Sequence, residues 1–285
     1  MNIGLVMSGG MAKGAYQVGA LKAINEFIDT KEIEYISCSS IASFNGYAFV
    51  NNKLDVAQKL WQDICPEGNN RLLINSIMKS SNIQEIIGGL YSPKDKFGNN
   101  LYVSLMDIKH RAITYNNLSK IDSKLYPLYL KASVAFPMYN RPVKIGEHSY
   151  YDGAFVDNIP IYPLLKHNLD YIICIYFDDC CYTFENTFVD NRIIKINFPG
   201  KKSMVDSLSV NRKEVDRMIE TGYKKTKSIL STVFAKGTDN LEYIYDSIQA
   251  LNNKSTKHKL YISADVLMTN FNKLTNKLAK KKINF

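Results

Sequence analysis

The spacing of apolar and polar residues changes several times within the first fifty positions of the chain. Residues 3–7 are nearly all apolar, which is typical of a strand buried on both faces. Residues 14–28 place apolar side chains at helical spacing, with polar residues between them. Residues 33–38 predict a second strand and residues 41–50 a second helix. This order of strand, glycine-rich turn, helix, strand, sharp turn and helix predicts an α/β fold with a parallel sheet covered by helices.

The pattern continues along the rest of the chain without an internal repeat or a low-complexity linker. A single domain over 1–285 is therefore expected. Residues 66–100 are irregular and broken by Asn, Ser, Gly and Pro, so they form a candidate cap or lid segment. Further strands are predicted at 101–106, 112–115, 171–177 and 192–198, and further helices at 53–64, 125–135, 204–234, 239–251 and 264–282.

The net charge of +9 is concentrated in the last third of the chain. Residues 201–285 contain 17 basic and 8 acidic residues, whereas residues 1–200 contain 19 of each. Two interpretations fit this basic helical C-terminal region: contact with an anionic membrane surface, or an ordinary solvated surface. No nucleic-acid partner is expected, and the sequence does not determine an oligomeric state.

The hydrophobic content of 46% and charged content of 22% are those of an ordinary globular protein. No stretch approaches the roughly 20 apolar residues that a membrane-spanning helix requires. The N-terminus has neither a basic segment before its apolar run nor a small-residue cleavage site after it, so no secretory signal is predicted. The expected location is cytoplasmic, with peripheral attachment to a membrane as a further hypothesis.

A glycine-rich turn follows the first predicted strand, with the sequence Ser8-Gly9-Gly10-Met11-Ala12-Lys13-Gly14. Such a turn lets backbone amides at a helix N-terminus approach a phosphate or a developing oxyanion. It does not match the Walker A loop, because Lys13 is followed by Gly14 and Ala15 rather than by Ser or Thr. It also fails the dinucleotide-binding pattern, whose middle glycine would fall at Met11, so nucleotide binding is disfavoured.

A serine-rich segment at 35–46 joins the second predicted strand to the second helix. A nucleophile elbow places its serine on this kind of sharp turn, and Ser40 occupies the corresponding position. The two positions that usually hold glycine are Cys38 and Ala42, which are both small. A helix N-cap is the alternative interpretation of the segment, and there are three rival hydroxyls, at Ser37, Ser39 and Ser43.

A third polar segment at 150–160 contains Asp152 followed by Gly153, a pair that is common in turns. A histidine could in principle complete a conventional triad with a serine and an acid. His148 lies four residues before Asp152, and the α/β-hydrolase order would select His167 or His258, but no sequence pattern marks any of them as catalytic.

These segments, taken in order along the chain, resemble the patatin-like phospholipase family. Residues 5–17 are similar to its glycine-rich oxyanion loop with a basic residue, and residues 40–46 to its nucleophile elbow. Asp152-Gly153-Ala154 matches the Asp-Gly-Gly/Ala motif of the family. Residues 132–137, Ala-Ser-Val-Ala-Phe-Pro, and residues 157–160, Asp-Asn-Ile-Pro, resemble its flanking motifs, so the similarity spans about 3–165.

The resemblance implies a three-layer α/β/α fold with a mostly parallel sheet, and a lipid acyl hydrolase of the phospholipase A type. Ser40 would be the nucleophile and Asp152 its base, without a histidine. The amides of Gly9, Gly10 and Met11 would bind the oxyanion. Lys13, Gly14 and Gly153 would support the site. The implied partner is a lipid or phospholipid substrate, and neither a cofactor nor a metal is implied.

Three departures from the family pattern leave a second hypothesis open. Met11 stands at a loop position where the family has glycine, and a methionine disfavours positive φ. Cys38 and Ala42 replace the two elbow glycines. The alternative is therefore a catalytically weak or inactive member of the fold that binds lipid or a protein partner.

Overall fold

The computed structural model describes residues 1–65, 72–73, 80–137, 139–178, 181–184, 186–199, 209–254 and 259–262. The predicted helix at 264–282 lies outside the described residues, as do residues 66–71 and 74–79 of the candidate lid. The segments that the resemblance singled out all fall within the described ranges. The candidate lid and the single-domain boundary remain predictions.

The strands of the described chain form one large sheet and two small two-stranded ones. The large sheet has the order β10-β8-β1-β2-β4-β7-β6, and β5 also pairs with β4. The small sheets pair β11 with β3 and β12 with β9. The strands are β1 (Ile3–Met7), β2 (Tyr35–Ser39), β3 (Leu72–Leu73), β4 (Asn100–Asp107), β5 (Ala112–Asn117), β6 (Val143–Ile145), β7 (His148–Asp152), β8 (Tyr171–Phe177), β9 (Cys181–Phe184), β10 (Ile193–Phe198), β11 (Ser209–Val210) and β12 (Lys259–Ile262).

The centre of the large sheet is parallel, and its far side is antiparallel. Strand β1 lies between β2 and β8, with Leu5 beside Ile36 on one side and Ile173 on the other. The ladders β10–β8 and β2–β4 are also parallel, whereas β4–β5, β4–β7 and β6–β7 are antiparallel. Since β1 and most of β8 are buried on both faces, their nearly continuous apolar sequences are those of parallel strands.

Most of the helical mass lies on one face of the sheet. Alternate residues of the central strands, including Leu5 and Met7, pack there against buried side chains of the long helices. None of the described helices is long and apolar enough to cross a membrane. The helices are α1 (Gly14–Ile24), α2 (Ala42–Val50), α3 (Leu54–Asp63), α4 (Ser80–Leu90), α5 (Tyr126–Ser133), α6 (Tyr162–Leu165), α7 (Thr187–Asp190), α8 (Arg212–Val233) and α9 (Leu241–Lys254).

The opposite face has a thinner cover. Val6 and Cys174 point to this side and pack with Ile159, Ile161 and Leu164, from the segment that contains the short helix α6. Both faces of the sheet are therefore covered, and the predicted three-layer α/β/α fold is confirmed. The two layers that cover the sheet differ in thickness.

Strand β4 pairs with both β2 and β7 along the same side, so that these two strands lie end to end. Along this side it pairs first with β2, as far as Ser39 beside Ser104, and then with β7, whose last residue lies where β2 stops. Asp152 is the partner of Leu105, the next residue along β4. Because β7 runs antiparallel to β4, the last residues of β2 and β7 meet at this junction.

One predicted helix boundary is corrected by the fold, and one pair of strands was not predicted. The predicted helix at 204–234 begins only at Arg212 within the described residues, because Asn211 and Glu214 form a capping box that fixes its start. Asp152 ends strand β7 and caps the following 3₁₀ turn Gly153–Phe155, so the turn expected at Asp152-Gly153 is confirmed. The hairpin of β6 and β7 was missed because its strands have only three and five residues and carry polar side chains.

Candidate active site

Ser40 lies in the turn between β2 and α2 and has a backbone conformation that is rare for serine. Its φ is +57°, in the left-handed region that most side chains avoid. Its Oγ donates a 2.6 Å hydrogen bond to Oδ2 of Asp152. The strand β2 aims the turn at the sheet junction, so the local strain coincides with the contact between hydroxyl and carboxylate.

The two non-glycine residues of the elbow are accommodated by their surroundings. Cys38 is fully buried in β2, and a Cβ added to Gly46 in α2 would lie 2.6 Å from its Sγ. The missing side chain at Gly46 therefore provides the room that Cys38 occupies. Ala42, the first residue of α2, is also fully buried. The departures from glycine thus leave the sharp turn intact in this structure.

The position of Asp152 is fixed by hydrogen bonds of its backbone amide and its carboxylate, and by the close packing of Gly153 against β4. Its amide donates to the carbonyl of Ala135 at 3.0 Å, and its Oδ1 accepts a 2.9 Å hydrogen bond from the amide of Ala154. Gly153 passes so close to β4 that an added Cβ would lie 2.6 Å from the carbonyl of Ser104. A side chain at position 153 would therefore displace the carboxylate from Ser40.

Burial makes the carboxyl group of Asp152 a much weaker acid than an ordinary aspartate. The carboxylate is 1% exposed, and desolvation raises its pKa to about 7, although the hydrogen bonds from Ser40 and the Ala154 amide act in the opposite direction. A carboxyl group with a pKa near 7 is suited to accept and return a proton at neutral pH.

The glycine-rich loop runs beside Ser40. A Cβ added to Gly9 would lie 2.7 Å from the Cβ of Ser40, so a glycine is needed for this close approach. Gly10 has extended φ and contacts the ring of Phe177, and Met11 has a φ of +52°. The concern about Met11 raised from sequence is therefore confirmed: a methionine occupies a left-handed conformation in the loop.

Lys13 and Gly14 complete the loop and begin α1. The amide of Lys13 donates to the carbonyl of Gly10 at 3.0 Å, which closes a 3₁₀ turn. The carbonyl of Gly14 accepts a 2.9 Å hydrogen bond from the side chain of Asn45 in α2. Both residues therefore belong to the framework that joins the loop to the elbow helix.

A buried polar network, which the sequence analysis missed, fixes the loop against the elbow. Asn45 also donates to the side chain of Gln17 and accepts from the indole of Trp61, and Gln17 donates to the carbonyl of Ser8 at 2.7 Å. On the other side Asn158 donates to the carbonyl of Gly9 at 3.2 Å. Three of these residues, Gln17, Asn45 and Asn158, lie within the motif segments, which is the signal that could have identified them.

Ser40 and Asp152 face a cavity of about 250 Å³. Its wall is mostly apolar, and the glycine-rich loop forms one side. Sequence analysis singled out the loop, Ser40 and Asp152 but not the aromatic wall, which comes from three separate segments. The lining residues are Gly9, Gly10, Met11, Ser40, Ile41, Trp61, Val134, Phe136, Asp152, Ala154, Phe155 and Asn158.

The rival hydroxyls and histidines lie elsewhere. The hydroxyls of Ser37 and Ser43 are buried outside the cavity, and that of Ser39 donates to the carbonyl of Asp157. His167 stacks on Tyr35, and the two histidines at 110 and 148 contact Asp107. His258 lies outside the described residues. Of the described histidines, none lines the cavity.

The family model for patatin-like phospholipase matches residues 5–165, which is more than half of the chain. The chain belongs to the patatin-like phospholipase family. The matched span contains the glycine-rich loop, the elbow and the strand that ends at Asp152, and it agrees with the resemblance seen in the sequence. Membership of the patatin-like family supports lipid acyl hydrolysis as the general activity.

Two solved structures are similar to this patatin-like chain. VipD from Legionella pneumophila gives a TM-score of 0.48 at 13% identity, over 88% of this chain and 75% of VipD. The type III effector protein ExoU gives 0.39 at 13% identity, over 89% of this chain and 61% of ExoU. The comparison with curated proteins finds no match. The family assignment therefore depends on the family model.

Proposed function

We propose that this protein is a phospholipase A-like lipid acyl hydrolase that cleaves carboxylic esters through a dyad of Ser40 and Asp152. The observation that supports the proposal most strongly is the 2.6 Å hydrogen bond from Ser40 Oγ to Asp152 Oδ2 at the wall of an apolar cavity. A serine hydroxyl is a weak nucleophile until an adjacent base removes its proton, and Asp152 is the base within reach.

In the first half of the reaction Asp152 takes the proton of Ser40 while Oγ attacks the ester carbonyl carbon. The carbonyl oxygen becomes an oxyanion, and the amides of Gly9, Gly10 and Met11 stabilise it; one such donor is typically worth about 3–4 kcal/mol. The intermediate then collapses, and the leaving alcohol receives the proton from Asp152. The product of this half is an acyl-enzyme on Ser40.

In the second half a water molecule attacks the acyl-enzyme carbonyl, and Asp152 accepts its proton. Collapse of the second tetrahedral intermediate releases the carboxylic acid, and the proton returns to Ser40. The apolar wall of Ile41, Trp61, Phe136 and Phe155 suits the acyl chain of a lipid, because burial of methylene groups there is favourable.

A fluorophosphonate probe tests the nucleophile. The wild-type protein should be labelled, and Ser40→Ala should not. Ser43→Ala is the matched control, because it removes a buried hydroxyl from the same helix start without changing the cavity. Equal labelling of wild type and Ser40→Ala, or undiminished ester hydrolysis by Asp152→Ala, would contradict the proposed mechanism.

Probe labelling, together with ester turnover by the same two proteins, decides between two hypotheses. One is catalysis, and the other is a non-catalytic member of the family that binds lipid or a protein. A catalytic protein turns over phospholipid or p-nitrophenyl esters, and this turnover disappears in Ser40→Ala. A non-catalytic protein shows neither labelling nor turnover, although its fold is intact by circular dichroism. The strained Met11 is the feature that favours this alternative.

We further propose that the basic region at 201–285 assists docking on an anionic membrane surface, with a cytoplasmic location for the protein. The excess of nine positive charges in this region supports the proposal, because anionic lipid headgroups attract clustered Lys and Arg side chains.

A further inference from the structure

A second group of ionisable side chains lies at the same edge of the sheet as the dyad. Asp107 ends strand β4, His110 follows in the turn to β5, and His148 begins strand β7. Nδ1 of His110 and Nδ1 of His148 each lie 2.8 Å from the same oxygen, Oδ2 of Asp107. The three potential ligand atoms lie within 4.8 Å of one another.

The carboxylate of Asp107 is oriented by its own turn. Its Oδ1 accepts hydrogen bonds from the amides of Lys109 and His110, at 2.9 and 3.2 Å, which leaves Oδ2 directed at the imidazoles. The side chain of Asp107 is 3% exposed, whereas those of His110 and His148 are 56% and 35% exposed. The cluster therefore has a fixed inner ligand and two outer ligands that solvent can reach.

We propose that Asp107, His110 and His148 bind a divalent transition-metal ion of the zinc type. Two imidazoles and one carboxylate are a donor set that zinc and its first-row neighbours favour, with the remaining positions left to water. Ligand atoms around a tetrahedral zinc ion at its usual bond lengths of about 2.0–2.1 Å lie about 3.3 Å apart. The two 2.8 Å separations need to lengthen by only about half an ångström to reach this value.

Binding of the ion would replace the hydrogen bonds within the cluster. The carboxylate exchanges its two imidazole hydrogen bonds for one metal bond, and each neutral imidazole carries its proton on Nε2 when Nδ1 binds the ion. His110 lies in an exposed turn, which gives its imidazole room to adjust to the ion. The backbone hydrogen bonds to Oδ1 then serve as the outer support that fixes a ligating carboxylate.

A metal ion here would connect β4 to the start of β7. The amide of Ile108 already donates to the carbonyl of Ser149 at 3.0 Å, so the two segments are adjacent. Strand β7 ends at Asp152, four residues after His148. The ion would therefore stabilise the strand that presents Asp152 without contacting the reacting atoms.

Zinc titration of the tag-free protein by calorimetry, together with Co²⁺ absorption spectroscopy, tests the proposal. We expect one Zn²⁺ per chain, and a melting temperature that rises by roughly 5 °C at about 100 times the dissociation constant and returns with EDTA. The bound Co²⁺ should show ligand-field bands without a thiolate charge-transfer band. His110→Gln and His148→Gln should each weaken binding by at least about 100-fold, since even supporting residues cost 10–100-fold.

His167→Gln is the matched control, because this histidine stacks on Tyr35 away from the cluster. It should bind Zn²⁺ as the wild type does. The proposal is overturned by absence of binding, by thiolate ligation of Co²⁺, or by equal affinity in wild type and both cluster variants. His110→Gln changes an exposed side chain, so its melting temperature in EDTA should equal that of the wild type and exclude misfolding as the cause.

Discussion

At the scale of single residues, the site depends on buried carboxyl groups whose acidity is changed by their surroundings. Asp152 accepts hydrogen bonds from Ser40 and the Ala154 amide, and Asp157 accepts from the hydroxyl of Tyr115 at 2.5 Å and from the amide of Ile159. Desolvation nevertheless dominates, and it raises the pKa of each to about 7. Both activity and stability should therefore depend on pH near neutrality.

The pH dependence of ester hydrolysis tests the role of Asp152 as base. Only the ionised carboxylate can accept the proton of Ser40, so kcat/KM should fall about tenfold per pH unit below a pKa of about 7. Asp157→Asn is the control, because it removes the other buried acid with the same pKa. Equal kcat/KM at pH 5 and pH 8, or loss of the acid limb in Asp157→Asn, would show that another group controls the rate.

The raised pKa of Asp152 also predicts how the free energy of unfolding depends on pH. A folded pKa of about 7 exceeds the ordinary value of 3.8, so the contribution to stability is complete below pH 3.8 and is lost as the pH rises through 7. The difference corresponds to roughly 4 kcal/mol. Relative to wild type, Asp152→Asn should therefore gain free energy of unfolding between pH 4 and pH 8, measured by urea denaturation. A constant difference between the two proteins across this range would contradict the raised pKa.

At the scale of elements, the elbow depends on how α2 packs against β2. Sequence predicted the strand, the helix and the serine between them, because their apolar spacing changes sharply at that point. It could not predict that Gly46, which is neither of the two elbow positions that usually hold glycine, makes room for Cys38. That compensation joins residues eight positions apart on different elements, and only their packing reveals it.

The pairing of Cys38 with Gly46 can be tested with a double-mutant cycle. Gly46→Ala should destabilise the fold by about 1–3 kcal/mol, since the added methyl group would lie 2.6 Å from Sγ of Cys38. Cys38→Gly should relieve most of this loss in the double variant, because the two side chains compete for the same space. Additive effects of the two substitutions on the free energy of unfolding would show that they do not share this space.

At the scale of the whole molecule, the uneven distribution of charge is the feature that the candidate site does not explain. Residues 1–200 are neutral by count, and the basic excess lies in 201–285. An attraction between this region and anionic lipid would be long-range and screened by salt. It would bring the ester bond to the cavity through surface charge, since none of the described helices is apolar enough to cross a bilayer.

Sedimentation with liposomes tests this docking. Binding to vesicles that contain phosphatidylserine should weaken several-fold when salt is raised from about 0.1 to 1 M, because the Debye length shortens from about 10 to 3 Å. Truncation after Asn272 removes five lysines and should weaken binding at low salt. Neutral phosphatidylcholine vesicles are the control. Binding that is indifferent to salt and to the truncation would exclude an electrostatic role for this region.

The apolar periodicity of the sequence by itself determined the α/β class and the central strands. The resemblance of its short motifs to the patatin-like family singled out the glycine-rich loop, Ser40 and Asp152. These follow from local periodicity and from short motifs whose residues are neighbours in the chain. The tertiary structure decided what depends on distant segments. Strand β4 brings Ser39 and Asp152 to adjacent positions, Gly46 accommodates Cys38, and a missed hairpin places His148 beside Asp107. The physical reason is that strand pairing and burial act between residues far apart in the chain, so no local pattern records them.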